Sequence, residues 1–334
     1  MKKKILVTGG LGFIGSHTSL KLLQKDYEII ILDNLSNSKV EVKNVIRTLA
    51  NKDFEFIEGD IRNKNLLRKI FEKNHIEFVI HFAGLKSVIN SSRLPLEYYE
   101  NNVLGSLILF QEMQFAEIKS LVFSSSASVY GNSKLNKCSE NVPLVPVSVY
   151  GKTKLIIEDI LRDLYKSDPN WKIINLRYFN PIGAHPSGLL CEDPNLEATN
   201  LIPLITKVAQ GKSEELLIFG GDYNTSDGTG KRDYIHVEDL ANGHIAALEK
   251  MQLQTSLCID VNLGTGISYS VLDVIKTFEK VSNRKIPYRI TKRRKGDIEE
   301  LCADPEYANN FLNWKAQYDL EKMCLDSWNC KDKL

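Results

Sequence analysis

Tyr150 and Lys154 stand four residues apart in the run Tyr150-Gly151-Lys152-Thr153-Lys154. On a helix that spacing sets the two side chains one turn apart on the same face. A phenol is a poor base at neutral pH, with an unperturbed pKa of about 10. A neighbouring ammonium favours the phenolate and lowers that value. The pair is therefore a proton-transfer device, and beside a hydride acceptor it becomes half of a hydride-transfer device.

An acceptor site is written at the start of the chain. The apolar, β-branched run Lys4-Ile5-Leu6-Val7-Thr8 precedes glycines at 9, 12 and 15, in Gly9-Gly10-Leu11-Gly12-Phe13-Ile14-Gly15. Strand, glycine turn and helix in that order let the backbone approach a pyrophosphate and aim a helix N-terminus at it. The spacing differs from the plain G-x-G-x-x-G fingerprint, and by itself it also suits an ordinary strand-to-helix turn. A second strand, Glu28-Ile29-Ile30-Ile31-Leu32, ends at Asp33, about 20 residues on, where a carboxylate accepts hydrogen bonds from an adenosine ribose. An acid there repels a 2′-phosphate, so the site favours NAD over NADP. Asp60, after Phe54-Glu55-Phe56-Ile57, suits either the adenine end of the site or a helix N-cap for the segment from Asn63.

The elements that must position these residues alternate in type. Strands are expected over 4–8, 28–32, 54–57, 77–82, 119–124 and 172–178, and helices over 14–25, 38–50, 63–73, 97–114 and 151–166. Such alternation predicts an α/β fold with a doubly wound parallel Rossmann sheet. Ligands on these sheets bind beyond the carboxyl ends of the strands. Gly9, Asp33, Asp60, Gly84, Ser126 and Asn180 all fall at such ends. After residue 180, prolines at 181, 186, 194 and 203 and glycines at 183, 188, 220, 221, 228 and 230 break the chain into short elements. The reading is a cofactor domain over 1–180 and a smaller mixed lobe over 181–334. The strand 259–263 and the helix 270–281 are expected to rejoin or cap the sheet.

Composition narrows the class. The 334 residues are 43% hydrophobic and 25% charged, with a formal net charge of +1, ordinary for a globular protein. That balance gives no electrostatic argument for nucleic acid or a membrane surface, and no apolar run approaches the ~20 residues of a membrane span. The basic run Lys2-Lys3-Lys4 precedes too few apolar residues for a signal peptide. Lys331-Asp332-Lys333-Leu334 imitates a retention tail without an entry signal to go with it. Six cysteines, at 138, 191, 258, 302, 324 and 330, show no C-x-x-C pairing. They read as scattered reduced thiols of a cytoplasmic protein, with neither a disulfide frame nor a metal site.

Several motifs carry a family resemblance: Thr8-Gly9-Gly10, Asp33-Asn34-Leu35, Gly59-Asp60-Ile61-Arg62, His81-Phe82-Ala83-Gly84-Leu85-Lys86, Ser124-Ser125-Ser126-Ala127-Ser128-Val129-Tyr130-Gly131 and Tyr150-Gly151-Lys152-Thr153-Lys154. They resemble the extended short-chain dehydrogenase/reductases. Arg177-Tyr178-Phe179-Asn180-Pro181, Gly183-Ala184-His185-Pro186 and Arg232-Asp233-Tyr234-Ile235-His236 narrow the likeness to the UDP-glucose 4-epimerases, from residue 4 to about 328. The resemblance implies that NAD is held by the glycine loop with Phe13 and Ile14, by Asp33, Asn34, Leu35, Ser36, Asn37 and Ser38, by Asp60 and Ile61, by the turn Phe82, Ala83, Gly84, Leu85 and Lys86, and by Asn101 and Phe179. Ser126, Tyr150 and Lys154 would be the catalytic set, all three touching the cofactor, and Ser126 and Tyr150 also the sugar. A UDP-hexose would be held by Lys86, Asn180, Asn200, Leu201, the strand Leu217, Ile218 and Phe219, and by Arg232, Tyr234, Arg294, Asp297 and Leu301. A guanidinium fork binds a diphosphate bidentately, although Arg294, in the basic run 292–295, equally suits a surface ion pair.

The implied activity interconverts UDP-galactose and UDP-glucose through a 4-keto sugar, with NAD retained. A 4,6-dehydratase on the same fold carries an Asp-Glu pair after the catalytic hydroxyl residue, whereas Ala127 and Ser128 follow Ser126 here. A non-catalytic NAD-binding protein usually loses the proton-transfer residues, and all three are present. Leu301 falls where some relatives restricted to plain hexoses carry Tyr, so its smaller side chain is expected to admit N-acetylated UDP-sugars as well. The family commonly forms homodimers, and the apolar faces around 97–114 and 151–166 suit either that contact or packing on the sheet.

Overall fold

The run Ile5-Leu6-Val7 is wholly buried, and a strand buried on both faces belongs inside a parallel sheet. The computed structural model describes residues 4–133, 137–192, 200–294 and 297–330. The lysines at 2, 3 and 295, Pro194, Gly296 and the 331–334 tail discussed above lie outside them.

The first half alternates as expected: β1 Lys4–Thr8, α1 Phe13–Gln24, β2 Glu28–Asp33, α2 Val42–Ala50, β3 Glu55–Glu58, α3 Lys64–Lys73 and β4 Ile76–His81. There follow α4 Val88–Arg93, α5 Pro95–Tyr98, a π-helical stretch Tyr99–Leu104, α6 Gly105–Phe115 and β5 Ser120–Ser126. A 3-10 turn, Ala127–Val129, leads toward α7 Val149–Ser167 and β6 Lys172–Tyr178. The later chain forms β7 Asn180–Ile182, α8 Leu201–Ala209, β8 Leu216–Phe219, β9 Lys231–His236, α9 Val237–Gln252 and β10 Leu257–Leu263. It ends with β11 Ser268–Ser270, α10 Val271–Ser282, β12 Tyr288–Thr291, β13 Glu300–Leu301, α11 Glu306–Leu312 and α12 Leu320–Asn329.

The central sheet has the order β10-β6-β5-β4-β1-β2-β3, with every neighbouring pair parallel. The chain winds outward in both directions from β1 and β4, so the crevice between these two is the topological switch point. Apolar clusters fill both faces: Val7, Leu20, Ile31, Ile80, Leu240 and Leu248 meet on one, and Leu6, Leu67, Phe110, Phe123, Ile157 and Leu161 on the other. The later strand joins the sheet, with β10 pairing along β6 from Leu257↔Lys172 to Leu263↔Tyr178. By contrast α10, also expected to rejoin or cap the sheet, packs on α8 and α12 instead, because its apolar face is matched by theirs. A separate small sheet surrounds β9, with β7 and β13 parallel to it and β11 antiparallel. The ribbon of β8 and β12 lies apart from both sheets.

Two further expectations need correction. The helix expected over 97–114 is α5, the π-helical stretch and α6 in succession, and such wide turns are frequent at functional sites. The cysteines are not all free thiols, because Cys191 and Cys330 form a disulfide across a sequence separation of 139. Their spacing carried no such signal, since the fold brings the segment after β7 onto the end of α12. Cys138, Cys258, Cys302 and Cys324 are free. Among the described residues no helix is long and apolar enough to cross a membrane.

Candidate active site

The glycine loop is shaped by contacts that exclude a side chain. Gly9 has φ +69°, and a Cβ there would lie 2.7 Å from Ala83 N; at Gly15 it would lie 2.2 Å from Gly9 O. Gly12 is different: its nearest neighbour to a Cβ is Gly9 O at 3.3 Å. It is the N-cap of α1 and no side chain caps that helix. By contrast, Asn63, Ser87 and Ser148 each cap the helix that follows. Phe13 and Ile14 open α1, so their amides belong to a bare helix start, which attracts phosphate.

Asp33 stitches this loop to the next. Its Oδ2 accepts the Leu11 N–H at 3.0 Å, and its Oδ1 accepts from Leu35 N at 3.0 Å and Ser38 Oγ at 2.8 Å. Asn34 Nδ2 donates to Asp60 Oδ2 at 2.9 Å, and the Asn34 side chain also accepts from Ser36 N. Asn37 stands between Ser36 and Ser38 in the same loop. The Arg62 side chain and backbone bond Asp60, and Arg62, followed by Asn34, holds that carboxyl down at about 2. Asp60 is thus not the N-cap weighed above; Asn63 is, accepting from Leu66 N at 3.1 Å. Ile61 points into the core.

Across the switch point, the turn after β4 is fixed to β1. Phe82 N and Ala83 N both donate to Thr8 O, at 2.9 and 3.1 Å. The buried His81 lies between Thr8 Oγ1 at 2.7 Å and Ser106 Oγ at 2.9 Å. Burial lowers this imidazole to about 3, with Lys154 adding to the effect, so it is neutral. Gly84 and Lys86 are exposed at the tip. Lys86 Nζ reaches Glu192 Oε1 at 2.8 Å, and Asn200 Nδ2 donates to the same oxygen at 2.7 Å. Asn101 is half-buried in the π-helical stretch, while its neighbour Asn102 is buried and clasps the turn at Leu85.

Tyr150 and Lys154 rise from the first turns of α7. Lys154 Nζ donates to Ser124 O at 2.6 Å and lies 5.9 Å from the centre of the Tyr150 ring. One turn further, the buried Glu158 accepts from Ser125 Oγ at 2.5 Å and from Arg177 Nη2 at 2.7 Å. α7 is therefore pinned to β5 and β6, which sets the start of α7, with Tyr150, beside the end of β5. Loss of hydration raises the Tyr150 phenol to about 12, opposed by the nearby Ser126 hydroxyl. Lys154 falls to about 7 for the same reason, opposed by Glu158. The expected depression of the phenol by the lysine is not what this geometry produces, because the amine is turned onto the Ser124 carbonyl. Among the described residues, no cluster of three or more His, Cys, Asp or Glu side chains is arranged to hold a metal ion.

Facing this set is the β9 sheet. Leu301 pairs with Arg232 in register and is buried among Ala127, Tyr130 and Phe179, so it sits against the neighbour of Ser126. Asn180 and Tyr234 are register partners, and burial raises the Tyr234 phenol to about 12. Arg232 Nη1 donates to Lys231 O at 2.7 Å, leaving the guanidinium without a close carboxylate among its described bonds. Arg294 does form the surface ion pair weighed above, with Asp297 at 2.9 Å, and lies over Phe219 at 4.6 Å. Leu217 is exposed, whereas Ile218, on the opposite face of the strand, is buried with α10, so its side chain is core and only its backbone could meet a ligand. Leu201 begins α8, and Asn200 precedes it.

The family model for the NAD dependent epimerase/dehydratase family matches residues 5–264. The chain belongs to the NAD dependent epimerase/dehydratase family. Similar family members include a UDP-glucose 4-epimerase of Bacillus subtilis (strain 168), 52% identical over 97% of this chain and 95% of the relative. The UDP-glucose 4-epimerase of Bifidobacterium longum, solved in complex with NAD+ and UDP, superposes with TM-score 0.96 at 45% identity, covering 99% of this chain and 98% of that one. The UDP-Glc/GlcNAc 4-epimerase of Campylobacter jejuni superposes with TM-score 0.86 at 36% identity, over 99% and 100% of the two chains. Family membership implies bound NAD, and the residues fit it: a glycine cradle that Cβ atoms would fill, an uncapped α1, and an acid at the end of β2.

Proposed function

We propose that the protein is a UDP-hexose 4-epimerase that interconverts UDP-galactose and UDP-glucose with retained NAD. The observation that carries this reading is the placement of Tyr150 and Lys154 on the first turns of α7, with Lys154 Nζ held on Ser124 O at the end of the strand that carries Ser126. The cradle, Asp33, the Phe82–Lys86 turn and Asn101 would hold the cofactor. Arg232 would meet the diphosphate, with Arg294 released from Asp297 to join it.

When bound, NAD⁺ would supply a hydride acceptor for the sugar C4 and a positive charge that would favour the phenolate. Tyr150 Oη takes the proton of the sugar 4-hydroxyl and gives it back. Ser126 Oγ bonds the same hydroxyl and orients the transfer. Lys154 stands one turn below, ready to leave the Ser124 carbonyl for the developing phenolate. The 4-keto sugar must turn over between the two transfers, so a firm grip on UDP with a loose grip on the hexose suits the chemistry. Ala127 and Ser128 supply no acid for a following elimination, which disfavours the dehydratase reading.

Leu301, buried beside Ala127 and Phe179, supports acceptance of N-acetylated UDP-sugars. The apolar side chains of Leu96, Leu104, Leu107 and Phe115 are 81%, 45%, 36% and 65% exposed along α5, the π-helical stretch and α6, which supports a homodimer through that face. Cytoplasmic placement belongs to the same reading. The test is to give the purified protein UDP-galactose with no added cofactor and quantify UDP-glucose. Conversion is expected, and Tyr150→Phe is expected to lower it by ~100-fold or more with NAD still bound. No conversion even after NAD is supplied would overturn the proposed substrate.

A further inference from the structure

Glu192 holds together two parts of the site that the sequence separates widely. Its Oε1 accepts from Lys86 Nζ at 2.8 Å, on the turn after β4, and from Asn200 Nδ2 at 2.7 Å, at the start of α8. Its side chain is 10% exposed, against 46% for Lys86. The residue before it is Cys191, bonded to Cys330 just beyond α12. α12 in turn packs Leu320, Met323 and Cys324 against Ile202 and Ile205 of α8. Ile182, Cys191, Glu192, Ile202, Pro203 and Cys330 line one small cavity. The disulfide therefore anchors the chain next to Glu192 onto the same layer that carries Asn200.

Resting on the epimerase reading, we propose that Glu192 is a positioning residue of the sugar-nucleotide site, and that the Cys191–Cys330 disulfide is the redox-sensitive tie that holds it there. Cys330 is 2% exposed, whereas Cys191 is half-buried, so a low-molecular-weight thiolate attacks Cys191 Sγ. The Cys191–Cys330 bond breaks and Cys330 leaves as a thiolate. A second thiolate then displaces Cys191 from the mixed disulfide. Two external thiols become one external disulfide, and two electrons pass to the protein as two cysteine thiolates, which take up protons. Freed from α12, the Glu192 carboxylate no longer holds Lys86 and Asn200 in register, and substrate capture weakens while the Ser126, Tyr150 and Lys154 set is untouched.

The test compares the holoenzyme equilibrated with glutathione disulfide and with dithiothreitol. Peptide mapping after alkylation should find the Cys191–Cys330 cross-link in the first and six alkylated cysteines in the second. The KM for UDP-galactose should rise about tenfold on reduction, the scale of one lost charge-assisted hydrogen-bond pair, with kcat changed less than about twofold. Cys191→Ser and Glu192→Ala should each show the raised KM and lose the response to reduction. Glu192→Gln should recover part of the affinity, and Cys258→Ser should behave as the parent protein. Equal KM in the two redox states, or no cross-link in the oxidised protein, overturns the proposal. Absence of turnover in both states overturns the epimerase reading instead. Hydrogen exchange at 188–192 then decides, since the tie predicts faster exchange on reduction and unchanged exchange excludes it.

Discussion

Asn102 grips Leu85 by both ends of its carboxamide: Oδ1 accepts the Leu85 N–H at 2.7 Å and Nδ2 donates to the Leu85 carbonyl at 3.0 Å. A third bond, from Nδ2 to Thr153 Oγ1 at 3.1 Å, ties that clasp to α7 beside Lys154. One buried side chain thus holds the turn after β4 and the start of α7 together. Asn102→Ala removes all three bonds and leaves partly buried backbone groups of Leu85 unpaired, a cost of at most roughly 1–3 kcal/mol per group. The expected result is a lower thermal midpoint together with faster release of NAD. A variant that melts earlier but keeps its nucleotide would show that the clasp serves the fold alone.

Gly12 and Gly15 should respond differently to the same added methyl. Gly15→Ala puts a Cβ 2.2 Å from Gly9 O, so the loop must move and both stability and NAD retention fall. Gly12→Ala meets Gly9 O only at 3.3 Å, with φ −68° and ψ 174° already ordinary for alanine. It should fold with a nearly unchanged melting temperature yet lose NAD by about tenfold or more in affinity, because the methyl stands at the bare start of α1. Co-purifying nucleotide, read by absorbance, checks it; full occupancy in Gly12→Ala would contradict the cradle.

Lys154 ties stability to pH. Loss of hydration lowers its folded-state pKa to about 7, against about 10.4 for an unfolded lysine. Between those values the unfolded chain holds the extra proton, so this group makes stability rise with pH. Below about 7 its cost is fully present and constant. Stripped of NAD, the protein should therefore gain stability relative to Lys154→Met as pH rises from 7 toward 10. Denaturant midpoints of both proteins across that range test it, and a constant difference would contradict the buried amine.

Leu301→Tyr would put a larger ring beside Ala127 and Phe179. Turnover of UDP-N-acetylglucosamine should fall by about tenfold or more, a loss of order 1.4 kcal/mol in transition-state stabilisation, while UDP-galactose is still converted. Parallel loss on both sugars would show that position 301 governs packing and not substrate choice.

What was readable in the sequence was local. The buried strand runs, the glycine turn after β1 and the helical spacing of Tyr150 and Lys154 each depend on residues close in sequence, and the structure forms these elements as expected. The clasp was not readable, because Asn101 and Asn102 are adjacent and identical in type. Only helical phase separates them, and the π-helical turn over Tyr99–Leu104 shifts that phase. Asp233 was seen as part of a motif without its role: strand alternation turns it away from Arg232 and Tyr234, and it accepts from Thr265 N, Gly266 N and Ala303 N. The Cys191–Cys330 bond depends on a meeting that no local pattern records.

The return of β10 to the edge of β6 has a consequence for how the chain comes off the ribosome. Until Leu263 has emerged, β6 presents an open edge, and α1 lacks the α9 surface it packs against. The seven-stranded sheet therefore cannot be completed while only the first 180 residues exist. It must wait, partly assembled, for a strand made some eighty residues later. Cutting the gene after Tyr178 is expected to yield aggregating fragments rather than a free-standing cofactor module.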